Sequence, residues 1–457
     1  MTGSEAGPGS LPRVIGAGRF ALILVGITIG TAIFRVPSLI AANTGSPWRA
    51  GCVWLIGALF AVAGGLCAAE LAARLPRAGG EYALIKAIYG DRMAFVFGVT
   101  WLVLASPASI AAVARTFADY AAVFAPLSEP ARRAITGLVI ALHTALAMAS
   151  TRIASRFIGA ATIAKLAAMA LVVAAAFLLS ADTPPAAPPL PASAGSLAAL
   201  IAAIVAVIWA YDGTSQVTLA GDIENPGRNI PRGLMIGTAV VVAIYTMINI
   251  AYGRTLGFAG LAGSTAVAAD TMNALVGATG ARLLAGLVLL SSFSCGMAQL
   301  VSHPRVTFGL ASDGLFFSWF ARLSARGETP WVAILLHGGL AALLGASGGY
   351  EFLVRIVVFS FYPLLGATYI GAILLRHRLG PPSGFRMPLY PWPVVTYALL
   401  LALVVGVSLV SDPAALIYAA AIMTVAWLGS RQLRGGHAIG PLAAASTTPA
   451  PDEPGGP

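Results

Sequence analysis

The sequence predicts an all-α polytopic membrane protein, and three observations carry that prediction. The 457 residues are 58% hydrophobic and only 10% charged, against about a quarter charged in a soluble domain, and the mean hydropathy is +0.86. Apolar runs of roughly 20 residues, each long enough to cross the hydrocarbon core, recur between short polar loops. Two of those runs are interrupted by helix-weakening residues, at Gly30-Thr31 and at Gly213-Thr214. The spans must be helices, because lipid offers no partners to loose backbone groups. A β-barrel would need alternating segments of about ten residues, and the sequence has none.

Taken in order, the apolar runs give about twelve spans, roughly 20–43, 51–74, 93–125, 132–150, 157–180, 197–219, 233–252, 282–310, 331–346, 351–375, 393–411 and 413–430. The third and eighth are long, and strong tilt is expected there. With the N-terminus inside, the cytoplasmic loops hold Arg74, Arg77, Lys86, Arg92, Arg152, Arg156, Arg228, Arg232, Arg322, Arg326, Arg376, Arg378, Arg386, Arg431 and Arg434. The opposite loops hold only Arg49, Arg132, Arg133, Arg254 and Arg282. That bias places both termini in the cytoplasm, as expected for a multi-pass protein of the inner cell membrane; Arg132 and Arg133 run against it locally. The net charge of +10 is therefore a topological signal and not a nucleic-acid footprint. Cys52, Cys67 and Cys295 all lie in apolar segments, so no disulfide framework is readable. The first apolar run lacks a cleavage site and is read as a span, not a signal peptide.

The expected organisation is a tail over 1–19, a twelve-helix domain over 20–433 and a disordered Pro-rich tail over 434–457. A Pro-rich external linker, Asp182–Ser193, divides the spans into five and seven. The interrupted spans are the first and the sixth, so each opens a five-helix unit. An odd number of helices forces the second unit to be inverted, giving a 5+5 inverted repeat (20–181 and 197–376) with discontinuous helices 1 and 6 and extra helices over 393–433. Paired breaks of this kind point to a transporter site at the bilayer midplane.

The first break lies in the stretch GITIGTAIFRVPS, Gly26–Ser38. Glycine costs a helix about 1 kcal/mol against alanine, and Pro37 removes an amide donor. Unwinding frees backbone groups that must bind something inside the bilayer. The half-helix beginning near Ala32 turns a positive dipole end to the gap, which suits a carboxylate; the alternative is a glycine packing notch. The second break, Trp209-Ala210-Tyr211-Asp212-Gly213-Thr214, adds an acid at membrane depth. Asp212 either faces a cavity or caps a half-helix, and the carbonyls of Trp209 and Ala210 suit an ammonium group. Together the breaks can hold a zwitterion. The candidate substrate-binding set is Ile27, Gly30, Thr31, Ala32, Ile33, Trp209, Ala210, Tyr211, Asp212 and Gly213.

Lys165 lies about two turns, roughly 12 Å, into span five. It is read as a cation facing span one, either exchanging a proton or standing where a sodium ion would sit; the alternative is snorkelling to the cytoplasm. Arg35 follows the first break and is placed in the outer vestibule. Ser291 and Ser292 are candidates for an ion site beside the first span, or else bond locally within their own helix. Arg115 and Asp119 are one turn apart and pair, and Glu70 is structural. The five histidines have no metal spacing, and no phosphate-binding Gly-Lys-Ser/Thr motif occurs. No metal, cofactor, enzymatic activity, nucleic acid or obligate protein partner is therefore expected; the expected partners are a small-molecule substrate, protons and the bilayer.

These residues resemble a known family. GITIGTAIFRVPS resembles the Gly-Ser-Gly-Ile-Phe break of the amino acid–polyamine–organocation (APC) permeases. AAELAARLPRAGGEYALIKAIYG (Ala68–Gly90) resembles their second-span end and re-entrant loop, SPASIAAVARTFADY their third span, and WAYDGTSQVTLAGDIENPGRNIPRGL (Trp209–Leu234) their sixth span and the loop after it. The resemblance covers most of 20–376 and is similar in kind to bacterial members and to the light subunits of heteromeric amino acid exchangers. It implies a LeuT-like fold and an amino acid permease working by alternating access. It implies that the amides of Thr31 and Ala32 meet the substrate carboxylate, that the carbonyls of Trp209, Ala210 and Asp212 meet its amine, and that Lys165 is the lysine of proton-coupled relatives. Two positions depart from the family pattern. Ala32 replaces the second break glycine, narrowing the approach to the backbone, and Thr214 replaces a bulky aromatic, enlarging or polarising the pocket. Rival readings are an obligate exchanger of amino acids or polyamines and a non-transporting amino acid sensor of the same fold.

Overall fold

The computed structural model of the chain describes residues 15–432 apart from 76–79, 150, 180–188, 212, 214–222, 325–328, 383 and 412. For Ile27, 151–159 and 410–411 it describes the backbone. The described residues are almost wholly helical, with one isolated β-bridge between Ile15 and Ile223.

Each predicted span has a helix in its place. Span one is two helices, α1 (Ala17–Thr28) and α2 (Val36–Thr44), joined through a 3-10 turn at Ala32–Phe34. Span two is α3 (Pro47–Arg74), and a short α4 (Gly80–Tyr89) follows it. Span three is α5 (Asp91–Thr100), a π-helical turn over Trp101–Ala105, and α6 (Ser106–Ala121). Spans four and five are α7 (Glu129–Ala149) and α8 (Thr151–Leu178). Of span six, α9 (Leu197–Ala210) is described, and its start is capped by the Ser196 hydroxyl, which accepts from the Ala199 amide at 3.3 Å. Then come α10 (Pro226–Gly263), α11 (Val267–Ser302), α12 (Pro304–Ser312), α13 (Trp331–Ser347), α14 (Tyr350–Leu379), α15 (Trp392–Ser411) and α16 (Ala414–Ser430). Seven of the described helices are long and apolar enough to cross a bilayer. This is an all-α polytopic membrane protein.

Two glycines mark off a hairpin between the seventh and eighth spans. Gly257 (φ 65°) interrupts α10 and Gly277 (φ 77°) interrupts α11, both in the left-handed region that favours glycine. The chain between them, 258–276, is a separate helical hairpin. At the other end α11 turns into α12 at His303-Pro304.

Small residues set how closely the helices approach. A Cβ on Gly233 would lie 2.4 Å from Phe20, and one on Gly237 would lie 2.7 Å from Leu24. This pair, four residues apart on one face of α10, lets α1 pack directly on it. A Cβ on Gly57 would meet Val207 at 2.6 Å and Tyr211 at 3.0 Å, so α3 closes on α9 the same way. The broken spans thus share one group of helices with α3 and α10, while α6, α7, α11 and α13 pack on one another.

Buried charges are paired. Glu70, 1% exposed, takes both arms of the Arg376 guanidinium (Nε at 2.7 Å) and the Met387 amide at 2.7 Å, joining α3 to the end of α14. Arg115 pairs with Asp119 at 3.3 Å and doubly with Glu129 at 2.7 Å, and its hydrogen bonds hold the Glu129 carboxyl down at about 2. Arg132 reaches Asp119 at 3.0 Å and Arg133 reaches Glu129 at 3.2 Å. The two arginines that depart from the loop-charge bias are therefore partners of local acids.

Candidate functional site

The first break spans Ile29–Arg35. Ile29 closes α1 with its amide on the Val25 carbonyl at 2.9 Å, and the Gly30 amide turns back to Thr28 at 2.7 Å. The 3-10 turn then begins at Ala32, where the first amides of a helix have no partner within it. Among the described residues no backbone acceptor meets the amides of Thr31, Ala32 or Ile33. All three residues are buried, Ile33 completely. Three amides at a helix start suit one carboxylate.

The second break begins where α9 stops at Ala210. Tyr211 still bonds back to Val207 at 3.2 Å, and Gly213 stands at φ 101°, a conformation open to glycine. The backbone and side chain of Asp212, a candidate here, lie outside the described residues, as do Thr214 and the Ile27 side chain. The Trp209 indole donates to the Tyr350 hydroxyl at 3.1 Å.

The two breaks are neighbours. A single hydroxyl, that of Tyr245 on α10, lies 3.1 Å from the Thr28 carbonyl and 2.9 Å from the Ala210 carbonyl. Both carbonyls sit at helix C-termini, where partial negative charge accumulates, so the phenol proton fills a gap that attracts cations. The Thr28 carbonyl is filled by the Gly30 amide and Tyr245, whereas the Ala210 oxygen keeps a second lone pair for an ammonium group while shared with Tyr245. Further rungs join the outer and inner ends of the same two spans. Gly195 donates to the Asn43 carbonyl at 2.8 Å, and Glu224 donates to the Ile15 carbonyl at 3.0 Å. Behind them Trp54, Tyr211 and Tyr245 pack ring against ring, with centroids 5.2 to 6.1 Å apart.

Lys165 is 5% exposed, and its ammonium donates to the Gly26 carbonyl on α1, two residues before the helix ends. It therefore faces span one, and snorkelling is ruled out by that burial. Gly26 makes the approach possible, because a Cβ there would lie 2.9 Å from Thr162, one turn before Lys165 on α8. Of the serine pair, Ser292 bonds back to Val288 at 2.8 Å, the local alternative. Ser291 is 1% exposed, and its hydroxyl has no partner among the described residues.

The α2 side of the first break is fastened to the hairpin 258–276. Ser38 donates to the Ser264 carbonyl at 2.6 Å, and Arg35 donates to the Thr265 carbonyl at 3.2 Å. Ser264 in turn donates to Asp270 at 2.5 Å. Tyr120 of α6 donates to the Phe34 carbonyl at 2.8 Å and accepts from the Ala268 amide at 3.4 Å. Sequence reasoning passed over Tyr245, Tyr120, Ser38 and Thr162. Their one visible signal was a hydroxyl inside an apolar run, and their partners lie on distant spans.

Known proteins share this organisation. The family described as amino acid permease matches residues 18–428. The serine/threonine exchanger SteT of Bacillus subtilis (strain 168) is 28% identical over 403 residues, covering 86% of this chain and 90% of its own. The b(0,+)-type amino acid transporter 1 of Mus musculus is 26% identical over 413 residues, covering 89% and 84%. The Asc-type amino acid transporter 1 of Homo sapiens is 28% identical over 390 residues, covering 81% and 72%. With nearly all its spans inside that match, and its paired breaks in the first and sixth, the chain belongs to the amino acid permease family.

Proposed function

We propose that the protein is a secondary active transporter that moves amino acids by alternating access, with a proton exchanged at Lys165. The observation that carries this reading is the meeting of the two breaks. Unpartnered amides begin one half-helix at Thr31–Ile33, and helix-end carbonyls at Thr28 and Ala210 lie within reach of one hydroxyl. Amides take a carboxylate and carbonyls take an ammonium, which together recognise the backbone common to amino acids. Asp212 and Gly213 complete the amine side of the site in this reading, and the two breaks open inverted five-helix units over 20–181 and 197–376. Both termini are cytoplasmic and the membrane is the inner one. Lys165 supports proton coupling in this reading because its bond to α1 is strongest while the amine carries its charge. Protonated, it holds α1 against α8; deprotonated, it keeps a weaker donor and releases the inner half-helix.

A second reading, obligate exchange without proton coupling, is favoured by similarity to a serine/threonine exchanger. Uptake of radiolabelled amino acids, L-serine and L-threonine first, into proteoliposomes separates the two. The expected result is accumulation driven by an acid-outside gradient into empty vesicles. Uptake that requires internal amino acid and ignores pH establishes the exchanger. Neither uptake nor exchange of any amino acid or polyamine sinks both.

A further inference from the structure

Arg35 is the charge that the site described above leaves unused. It caps the start of α2, directly after the break. Its Nη1 donates to the Thr265 carbonyl at 3.2 Å, and its Nε is buried without a partner. Among the described residues no carboxylate pairs with it. The nearby acids are engaged elsewhere: Asp119 with Arg115 at 3.3 Å and Arg132 at 3.0 Å, Asp270 with the Ser264 hydroxyl at 2.5 Å, and Glu351 with Arg355 at 3.7 Å. A carbonyl satisfies one N–H but leaves the charge uncompensated, and a half-buried guanidinium without an anion is a costly arrangement. The start of α2 adds its own positive dipole end at the same place.

We propose that Arg35 is a specificity-determining residue that makes the outer mouth of the site a carboxylate receptor, admitting neutral and acidic amino acids and disfavouring cationic amino acids and polyamines. The inference rests on the amino acid reading above and names its substrate class. Two like charges about 8 Å apart at an effective dielectric near 20 discriminate by a factor of about 30, so a cationic side chain meets a barrier there that a hydroxyl or carboxylate does not. The carboxylate that Arg35 receives is either the α-carboxylate of every amino acid or the second one of an acidic side chain.

Thermal-shift titration of the purified full chain with L-serine, L-glutamate, L-lysine and putrescine, in the wild type, Arg35→Gln and Arg35→Lys, tests it. In the wild type L-serine and L-glutamate bind at least about tenfold more tightly than L-lysine and putrescine. Arg35→Gln raises the affinity for L-lysine relative to L-serine or L-glutamate by about tenfold, and Arg35→Lys, which keeps the charge, holds the wild-type ratio. A loss for L-serine in Arg35→Gln assigns the α-carboxylate; a loss confined to L-glutamate assigns the side-chain carboxylate. If Arg35 only latched the hairpin, all ligands would shift together and the ratio would not move, which overturns the inference. Wild-type protein that binds L-lysine as tightly as L-serine overturns it too, while leaving amino acid transport intact. Failure of all amino acids to bind overturns the underlying reading with it.

Discussion

The two halves of the first span are held to their surroundings in different ways. The half that is outer in the proposed topology, from Phe34 through α2, is tied to α6 and to the hairpin 258–276 by several hydrogen bonds: Tyr120 on Phe34, Ser38 on Ser264 and Arg35 on Thr265. The inner half, α1, is tied across to α8 by the Lys165 ammonium on Gly26, at a place where a glycine allows contact with Thr162. Outside, the bonds come mostly from neutral hydroxyls and are spread over several residues. On the α1 side the Tyr245 hydroxyl on Thr28 is again neutral, and Lys165 on Gly26 adds the one ionisable side-chain donor among the described bonds. In the transport cycle proposed above, a change of one proton would act on the α1 side and leave the α2 fastening as it was.

The largest test of this contrast is Lys165→Ala. It removes a charged donor worth about 1.5–3 kcal/mol, and pH-driven uptake in proteoliposomes is expected to fall at least tenfold. Full pH-driven uptake in this variant would break the comparison at its inner half. Next comes the outer half. Tyr120→Phe deletes the bond to the Phe34 carbonyl, and Ser38→Ala deletes the bond to Ser264, each a loss of about 1 kcal/mol. Labelling of an Ala32→Cys probe from the outer side, in a background without native cysteines, should rise about fivefold for each and further for the pair. An unchanged labelling rate would show that these bonds do not hold the outer side closed. The smallest effect is expected at the fixed α6–α7 corner. The Glu129 carboxyl sits at about 2 against an ordinary 4.5, chiefly through hydrogen bonds from Arg115. A depressed carboxyl stabilises the fold above its ordinary value and loses that contribution as pH falls from 4.5 towards 2. The melting temperature of the wild type should therefore drop more steeply in that window than that of Glu129→Gln. The difference will be small, because Glu129 is half exposed.

Much of the architecture was legible because lipid imposes strict rules. A helix that must satisfy its own backbone shows its length in the apolar runs, and a helix that must not be continuous shows it in residues such as Gly30 and Gly213, the latter in a left-handed conformation. Lys165 was legible for the same reason, since a buried cation in a span must face something. Local pattern could not name partners. Ser291 and Ser292 read alike in sequence, yet one bonds to its own helix and the other does not.

By itself, then, the sequence determined the helical membrane architecture, the places where two spans come apart, and the buried cation facing the first of them, because those follow from the cost of exposing backbone and charge to hydrocarbon. The tertiary structure alone decided that Tyr245 joins the two breaks, that Tyr120 and Ser38 fasten the α2 half, and that Arg35 has no acid partner among the described residues. Those contacts join residues far apart in the chain, and only packing sets which face of each helix turns towards which neighbour.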